Sequence, residues 1–458
     1  MTLRARLGFY TFTIGSALIV AVAVTKPLLG IILAVVPPAV FLASRSIAYP
    51  FALGAIPELT IALLNRDPFP HRLLTVAFFA WTVLAVMFAL YAGHERLPLR
   101  TLLTGPVFFS LLLALDLLVR LSASGSPSYG SQKVQLFVLQ NTVYVIAATM
   151  IGQKLRHLEK YFSVTMLMAG ASGLILLWHL ASGSANAFYT NRYSISTQEN
   201  PILLGRGMAD GLIIAIYVML ATGSGTRRLA ATVLVPVLAI GLLASGSRGP
   251  VLGAMVGLLT LLVALSRDRR YRRRLVAVAV AGVGAAVLAA QLVPGGSLSR
   301  SFSFLTGAGG GLSSNGRSQL WSDAWHMFLS NPAFGAGTGT FFSVDKVERY
   351  PHNIFLEIGS ELGLVGLILV VGFLFTAWMT MRQIRASGRP LQAQAAVVTA
   401  LFATAVTNAM FSGDIQTNAA IWLTTGLAIG MAMQSGRVTT ATGRRIPSAI
   451  RSLGHRRP

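Results

Sequence analysis

Cysteine is absent from this 458-residue chain, and charged residues make up only 11% of it. The missing cysteines exclude disulfide bonds and thiolate metal sites, although they do not identify the compartment. Soluble domains usually carry about 25% charged residues. Here many windows of roughly 17–25 residues contain no Lys, Arg, Asp or Glu, and such windows are long enough to cross the hydrocarbon layer of a bilayer. The scarcity of charge therefore predicts an all-α polytopic membrane protein.

Acidic residues are the scarcer of the two charged classes. The chain has 14 Asp and Glu against 37 Lys and Arg, for a formal net charge of +23. The positive-inside bias of helical membrane proteins accounts for this excess. We do not expect nucleic-acid binding, because it would need a clustered basic surface on a polar domain. No HxxxH or DxD pattern occurs, so we expect chemistry without a metal or a cofactor.

The apolar segments predict about 12–14 transmembrane helices. We expect helices with short loops over 1–293, a large periplasmic loop with an amphipathic helix over 294–351, further helices over 352–435 and a basic cytoplasmic tail over 436–458. No cleavable signal peptide is evident. The expected spans lie near 7–25, 27–43, 73–91, 101–121, 134–152, 162–181, 200–222, 228–246, 248–265, 275–293, 352–381, 392–411 and 416–434, with 47–64 left as a span, a re-entrant piece or an interfacial helix.

The basic loops predict the orientation, since Lys and Arg concentrate on alternate connections. Placing those connections in the cytoplasm puts both termini there as well, and the number of spans is then even. The other connections are expected on the outer face, and they are 122–133, 182–200, 246–248, 294–351 and 411–416.

The loop 294–351 interrupts the apolar pattern with Gly, Ser, Asn, Arg and aromatic residues. Within it Arg317, Trp321 and Trp325 follow i, i+4, i+8 spacing, so we expect 314–330 to form an amphipathic helix that lies on the membrane. The glycine run at 335–339 has no strand before it, which argues against a dinucleotide site. It favours a turn in which the backbone can be approached closely.

Four arginines are expected at the outer face. Arg192, Arg248 and Arg317 lie on outer loops, and Arg206 lies about one and a half turns into the span that follows Asn200. For any one arginine, snorkelling to the interface is the alternative explanation. Arg248, however, lies between glycines in a turn too short for its side chain to wander. Several guanidinium groups around one cavity predict a diphosphate or polyanionic ligand, because the planar fork donates two parallel bonds to phosphate.

His352 ends the large loop at the point where a long apolar run begins. A neutral imidazole can take a proton from a hydroxyl at physiological pH, and nearby arginines favour the neutral form because they repel imidazolium. Asn353 is expected either to orient a ligand or to cap the following helix. The alternative for His352 is that it is an ordinary interfacial residue.

Acidic residues near the outer ends of the spans are candidate partners for these groups. Glu357 and Glu361 lie one helical turn apart and are expected to accept a hydrogen bond or to balance an arginine. Asp210 and Asp414 are candidates to pair with the arginines.

These motifs resemble the signature of the O-antigen ligase and O-antigen polymerase superfamily. The likeness covers about 190–366 at the level of motifs, and the pattern of spans extends over nearly the whole chain. Two shorter elements are similar to superfamily elements at the outer ends of earlier spans, and they are Arg192…Asn200-Pro201-Ile202 and Ser247-Arg248-Gly249. The longest is Arg317…Leu320-Trp321…Ala324…Asn331-Pro332…Gly335…Gly337…Phe341, followed by Pro351-His352-Asn353-Ile354-Phe355-Leu356-Glu357…Glu361-Leu362-Gly363-Leu364…Gly366.

The resemblance implies a GT-C-like glycosyltransferase of the bacterial inner membrane. Such enzymes move a glycan from undecaprenyl diphosphate, with inversion, to an acceptor hydroxyl at the periplasmic face, which in the ligases belongs to the lipid A-core of lipopolysaccharide. Carried over to this chain, His352 is the general base on the acceptor, and Arg192 and Arg248 hold the diphosphate. Arg317 is a loop anchor or a further phosphate contact, and Arg206 competes with Arg192 for its role. The supporting residues are Asn200, Asn353 and Glu357.

Other activities remain open on the sequence. A polymerase that joins lipid-linked repeats of an O-antigen or exopolysaccharide shares these motifs, as does an enzyme that transfers glycans to protein hydroxyls. The single large loop and the Asn-Pro-Ile element favour a ligase. A different class is a polyanion transporter or lipid flippase, for which we would expect paired broken helices or an internal repeat near the bilayer midplane.

Overall fold

The computed structural model describes most of the chain after residue 103. The described ranges are 46–55, 82–87, 104–183, 186–189, 192–195, 200–221, 225–266, 291–306, 317–344, 350–386 and 389–434, with single residues at 80, 101, 271, 274, 278, 282, 284 and 288. The spans expected at 7–25 and 27–43 and the tail 436–458 lie outside these ranges, as do most of 73–91 and 275–293.

The described elements are helices except for one short hairpin. In chain order the helices are α1 (Ala48–Ala55), α2 (Gly105–Arg120), α3 (Pro127–Leu136), α4 (Thr142–Gly152), α5 (Leu155–Ala181), α6 (Pro201–Ala221), α7 (Gly225–Ala244), α8 (Arg248–Ser266), α9 (Gly295–Thr306), α10 (Arg317–Ser330), α11 (Phe341–Val344), α12 (Ile354–Arg385), α13 (Arg389–Ala409) and α14 (Ala420–Gln434). The antiparallel hairpin is β1 (Asn186–Tyr189) and β2 (Arg192–Ser194), within the connection between α5 and α6.

Long apolar helices confirm the all-α polytopic membrane fold. Seven helices in the described part of the chain are long and apolar enough to cross a membrane, with α3 and α4 counted together as one. Their outward faces carry large apolar side chains, such as Leu115 on α2 (55% exposed) and Ile368 on α12 (66% exposed). Contiguous exposed apolar surface of this kind is unfavourable in water and favourable against lipid.

The helix that contains α3 starts earlier than the sequence predicts. Residues 122–133 were expected as an outer loop, but Pro127 begins a helix that runs to Gly152 through a π-helical turn at Phe137–Asn141. Proline suits this start because its missing N–H would be unpaired in the first turn anyway. Lys133 therefore lies inside a helix of the bundle and not in a loop.

Small residues bring neighbouring helices into close contact. On α4 and α14 the backbones approach so closely that a Cβ at Gly430 would lie 2.2 Å from the carbonyl oxygen of Thr149. Membrane helices associate through such small-residue contacts, because lipid provides no hydrophobic drive between them. Close packing also joins α8 to α13, α6 to α7 and α2 to α12.

Helix α12 is broken at Gly363, where φ is 70° and ψ is −157°. The segment 332–337 supplies partners to the backbone groups that the break releases. Pro332 and Ala333 accept hydrogen bonds from the amides of residues 364 and 365, while the amides of Ala336 and Gly337 donate to the carbonyls of residues 360 and 361, all at 2.8–3.3 Å. Non-helical backbone at membrane depth requires such protein partners.

The loop helix α10 packs against α12. Leu320, Ala324 and Phe341 form a small buried cluster beneath it, while Trp325 is 50% exposed. The sequence predicted this helix over 314–330 as one that lies on the membrane. Its described part is Arg317–Ser330, and one face of it is buried on the bundle.

Substitution of Gly363 tests the broken helix. We expect Gly363→Ala to lower the apparent thermal midpoint in detergent, because a Cβ there would meet the backbone nitrogens of residues 334 and 335 at 2.5 Å in a conformation that costs a non-glycine residue about 1–3 kcal/mol. Gly359→Ala is the matched control. It lies on the same helix with 3.5 Å to its nearest neighbour, and it should leave the midpoint unchanged or raise it. Equal midpoints for the two variants would contradict this account of the break.

Candidate functional site

Asn353 is the N-cap of α12, which is one of the two roles expected for it. Its side-chain oxygen accepts hydrogen bonds from the amides of Phe355 at 3.0 Å and Leu356 at 3.1 Å. These amides are among the helix-start donors that have no partner within the helix. The cap fixes where α12 begins, and it therefore fixes the position of His352, the preceding residue.

His352 adopts a left-handed backbone conformation, with φ at 57°. A non-glycine residue in this region carries strain and persists when its surroundings determine its position on several sides. The indole nitrogen of Trp321 donates to the carbonyl of Pro351 at 2.9 Å. The Tyr350 ring lies edge-on to the imidazole, with 4.8 Å between ring centroids. Together with the Asn353 cap, these contacts hold the half-buried His352 in place.

Arg192 reaches the turn between α7 and α8, directly before Arg248. The Nη2 atom of Arg192, the first residue of β2, donates to the Ser247 hydroxyl at 3.1 Å. Arg248 follows directly as the first residue of α8, and Arg300 of α9 is close enough for the two guanidinium charges to repel each other. The hairpin, the short turn and α9 thus place three positive charges near the N-terminus of α8, which itself favours anions.

Arg206 of α6 contacts a segment that we call the C-terminal turn, residues 410–419 between α13 and α14. Its Nη2 atom donates to the carbonyl of Ser412 at 2.8 Å and more weakly to that of Asn408, just before the turn, at 3.5 Å. The turn also lies against the Arg248 segment, since a Cβ at Gly249 would be 3.3 Å from Cβ of Phe411. Asn200 caps α6 by accepting from the amide of residue 202 at 2.9 Å.

Lys133 lies between the two glutamates of α12. Its Nζ atom is 2.7 Å from Oε1 of Glu357 and 2.8 Å from Oε2 of Glu361, and the three side chains are at most 2% exposed. The second oxygen of Glu357 accepts from the amide of Ile415 at 3.0 Å. Glu357 therefore joins the start of α12 to the C-terminal turn.

Asp414 is bound within the same region. It accepts from the Tyr129 hydroxyl at 2.8 Å and from the amide and hydroxyl of Thr417 at 2.9 and 2.7 Å. The sequence predicted an arginine as a possible partner of Glu357, Glu361 and Asp414. For Glu357 and Glu361 the structure gives a lysine instead.

Lys133 and Tyr129 are not among the residues predicted from the sequence, because both lie in a stretch that was expected to be a loop. The feature of the sequence that could have revealed Lys133 is charge balance. Glu357 and Glu361, one turn apart on an apolar helix, call for a cation at the same depth. Lys133 is the residue at which the apolar run of the α3–α4 segment begins.

The C-terminal turn brings most of the predicted site residues together. Arg206 donates to it, the Arg248 segment packs on it, Arg192 bonds the residue before Arg248, and Glu357 ties it to the helix that His352 precedes. Arg317 lies at the first residue of α10, one turn before Trp321, which bonds the loop next to His352. Within the described residues no group of three or more His, Cys, Asp and Glu forms a metal-binding set.

A cavity of about 70 Å³ lies elsewhere in the bundle. Its walls come from α2, α4, α12, α14 and the π-helical turn, and they are mostly apolar, with Asn141 and Thr149 among the polar exceptions. Thr149 lies near the end of the α3–α4 segment that is opposite to Lys133. This cavity is therefore separate from the arginine and histidine cluster.

Comparison with known proteins relates a segment of the chain to one family. Residues 231–371 match the family model described as O-Antigen ligase. The chain carries a domain of the O-antigen ligase and polymerase superfamily. A search of the curated proteins gave no significant match. Members of the O-antigen ligase family are glycosyltransferase-like ligases and polymerases.

The O-antigen ligase domain contains some of the cluster and not all of it. Arg248, Arg317 and His352 fall within the matched segment. Arg192, Arg206 and Lys133 precede it, and the C-terminal turn follows it. The fold thus brings helices from outside the matched segment to the residues inside it.

Removal of the Asn353 cap tests how the start of α12 is held. We expect Asn353→Ala to destabilise the protein by about 1 kcal/mol, since two amides lose their acceptor, and to lower the apparent thermal midpoint in detergent. Asn331→Ala is a suitable control because Asn331 is exposed. The interpretation of Asn353 as a structural cap would be wrong if both variants melted at the wild-type temperature.

Proposed function

We propose that this protein is an O-antigen ligase-type glycosyltransferase. It transfers a glycan from undecaprenyl diphosphate to a hydroxyl of the lipid A-core at the periplasmic face of the bacterial inner membrane. The chemistry inverts the anomeric centre and needs no metal. Both termini lie in the cytoplasm, as the distribution of basic loops indicates.

One observation carries this proposal. In a chain whose residues 231–371 match the O-antigen ligase family, the segments that bear Arg192, Arg206 and Arg248 converge with the start of α12, next to His352, around the C-terminal turn. Fixed guanidinium groups suit a diphosphate. A histidine held at the mouth of a span, at the same end of the bundle, suits proton transfer from a hydroxyl.

In the proposed reaction His352 takes the proton of the acceptor hydroxyl as the oxygen attacks the anomeric carbon. The bond between that carbon and the diphosphate oxygen breaks, and its electron pair leaves with undecaprenyl diphosphate. Arg192, Arg206 and Arg248 stabilise the charge that grows on the leaving group. Fixed cations of this kind contribute most in a site with little water.

The roles of Arg317 and Arg300 are secondary in this scheme. Arg317 anchors α10 or makes a further phosphate contact. Arg300 adds positive charge beside Arg248 and thereby raises the affinity of the site for a polyanion. Asn200 and Asn353 support the site as the caps of α6 and α12. Glu357 supports it by joining the start of α12 to the C-terminal turn.

Replacement of His352 tests the general base. We expect His352→Ala to lower the transfer rate by at least about 100-fold, the lower range for loss of a general base, while binding of the lipid-linked donor is retained. The assay uses the full-length protein in proteoliposomes with undecaprenyl-diphosphate glycan and lipid A-core. The control is His326→Ala, since His326 is exposed on α10. Wild-type transfer by His352→Ala would exclude the mechanism.

Replacement of Arg248 separates binding from proton transfer. We expect Arg248→Ala to weaken donor binding and to lower the transfer rate, because the diphosphate loses a charge-assisted contact worth about 1.5–3 kcal/mol.

The same assay distinguishes a ligase from a polymerase and from a flippase. Elongated glycans formed from donor alone would indicate a polymerase. Donor that crosses the bilayer without transfer would indicate a flippase.

A further inference from the structure

The buried ammonium group of Lys133 has no part in the proposed reaction. It lies at the opposite side of Glu357 from the C-terminal turn and has no exposed surface. We propose that Lys133 is a positioning residue, which sets where His352 and Arg206 stand relative to each other. This inference rests on the proposed function, since it concerns the geometry of that transfer reaction.

The first contact of Lys133 reaches His352 through the start of α12. Glu357, whose Oε1 is 2.7 Å from Nζ, donates its own amide to the carbonyl of Asn353 at 2.9 Å. Asn353 caps the helix and directly follows His352. A shift of the Glu357 side chain therefore moves the first turn of α12, which carries the strained histidine at its end.

The same glutamate reaches Arg206 through the C-terminal turn. Oε2 of Glu357 accepts from the amide of Ile415, and three residues earlier in the turn the carbonyl of Ser412 accepts from Arg206 at 2.8 Å. Because one carboxylate is held between Lys133 and the amide of Ile415, its two oxygens define the spacing between the α12 end and the turn.

The second contact of Lys133 holds the loop at residues 335–339. Glu361 accepts from Nζ with both oxygens, at 3.0 and 2.8 Å, and its Oε2 also accepts from the amide of Gly339 at 2.8 Å. Gly339 closes the loop that supplies partners to the break at Gly363. One ammonium group thus orients the two carboxylates that fix the start of α12, the C-terminal turn and the loop beneath the break.

An ion pair in this place is an inefficient source of stability. Desolvation of buried charges offsets much of their attraction, and well-packed apolar side chains often do as well or better. Apolar packing, however, does not specify direction. An ammonium with three donors and carboxylates with fixed lone pairs allow few arrangements, which suits a group whose task is to set geometry.

A double substitution separates position from charge. Lys133→Met/Glu361→Gln removes one positive and one negative charge, so the net charge of the cluster is unchanged. The carboxylate of Glu357 stays buried, with the amide of Ile415 as a remaining hydrogen-bond donor. We expect the variant to fold with a lower thermal midpoint, because the buried carboxylate of Glu357 loses its cation, and activity is therefore measured per folded protein. We expect kcat for glycan transfer to fall by about 100-fold, because small displacements of reacting groups have effects of this size, with donor KM changed by less than about threefold.

Two further variants complete the experiment. Lys133→Arg keeps the charge but changes the geometry of its donors, and it should fold and show a kcat at least about tenfold lower. If the double variant does not fold, Lys133→Arg decides the question. Lys160→Met is the control, since Lys160 lies over the Tyr49 ring in a separate part of the bundle and should transfer glycan at the wild-type rate.

The outcomes distinguish this inference from the function on which it rests. Wild-type kcat in the folded double variant, or in folded Lys133→Arg, overturns the positioning role even if His352→Ala is inactive. Wild-type activity of His352→Ala removes the proposed function instead. A loss of kcat that accompanies an equal loss of folded protein would show that Lys133 serves stability alone.

Discussion

Lys133 donates to Glu357 and Glu361 at a depth where none of the three side chains reaches solvent. A buried charge without a partner is strongly unfavourable, so each member of this group requires the others. The arrangement therefore couples α3 and α12, two helices that are distant in the chain, and joins them to a turn and a loop. The C-terminal turn and the loop at residues 335–339 each donate an amide hydrogen bond to one of the two carboxylates. Glu357 itself lies in the first turn of α12, where its amide donates to the carbonyl of Asn353.

The break in α12 is subject to the same requirement, that buried polar groups have partners. A helix at membrane depth satisfies its own backbone, whereas a break exposes amides and carbonyls that water cannot reach. At Gly363 the segment 332–337 provides the missing partners. The large polar loop is thus a structural part of the bundle and not only a cover over it. This dual use accounts for the close glycine contacts between the loop and α12.

The candidate site combines strained and rigid elements. His352 has a backbone conformation that is unfavourable for histidine, and Trp321, Tyr350 and Asn353 hold it from different sides. Arg192 from the hairpin and Arg206 from a transmembrane helix are each held by a hydrogen bond to a neighbouring segment, and Arg248 begins a helix whose first turn packs on the C-terminal turn. Preorganisation of this kind is what transfer chemistry in a site with little water requires.

The sequence by itself determined the membrane class, the apolar spans that the structure describes after residue 104 and the helix in the middle of the large loop, and it named the candidate residues His352, Arg192, Arg206 and Arg248. These features depend on local composition and spacing, which any stretch of sequence displays. The start of α3 was misjudged because Lys133 and its polar neighbours look like a loop when their partners are unknown. Only the tertiary structure decided that Glu357 and Glu361 pair with Lys133 and that Arg206 reaches the C-terminal turn. It also decided that the segment 332–337 supplies hydrogen-bond partners to the backbone at the break in α12. Those contacts join residues that are between 22 and 228 positions apart, and local patterns contain no information on which distant polar groups will share one buried volume.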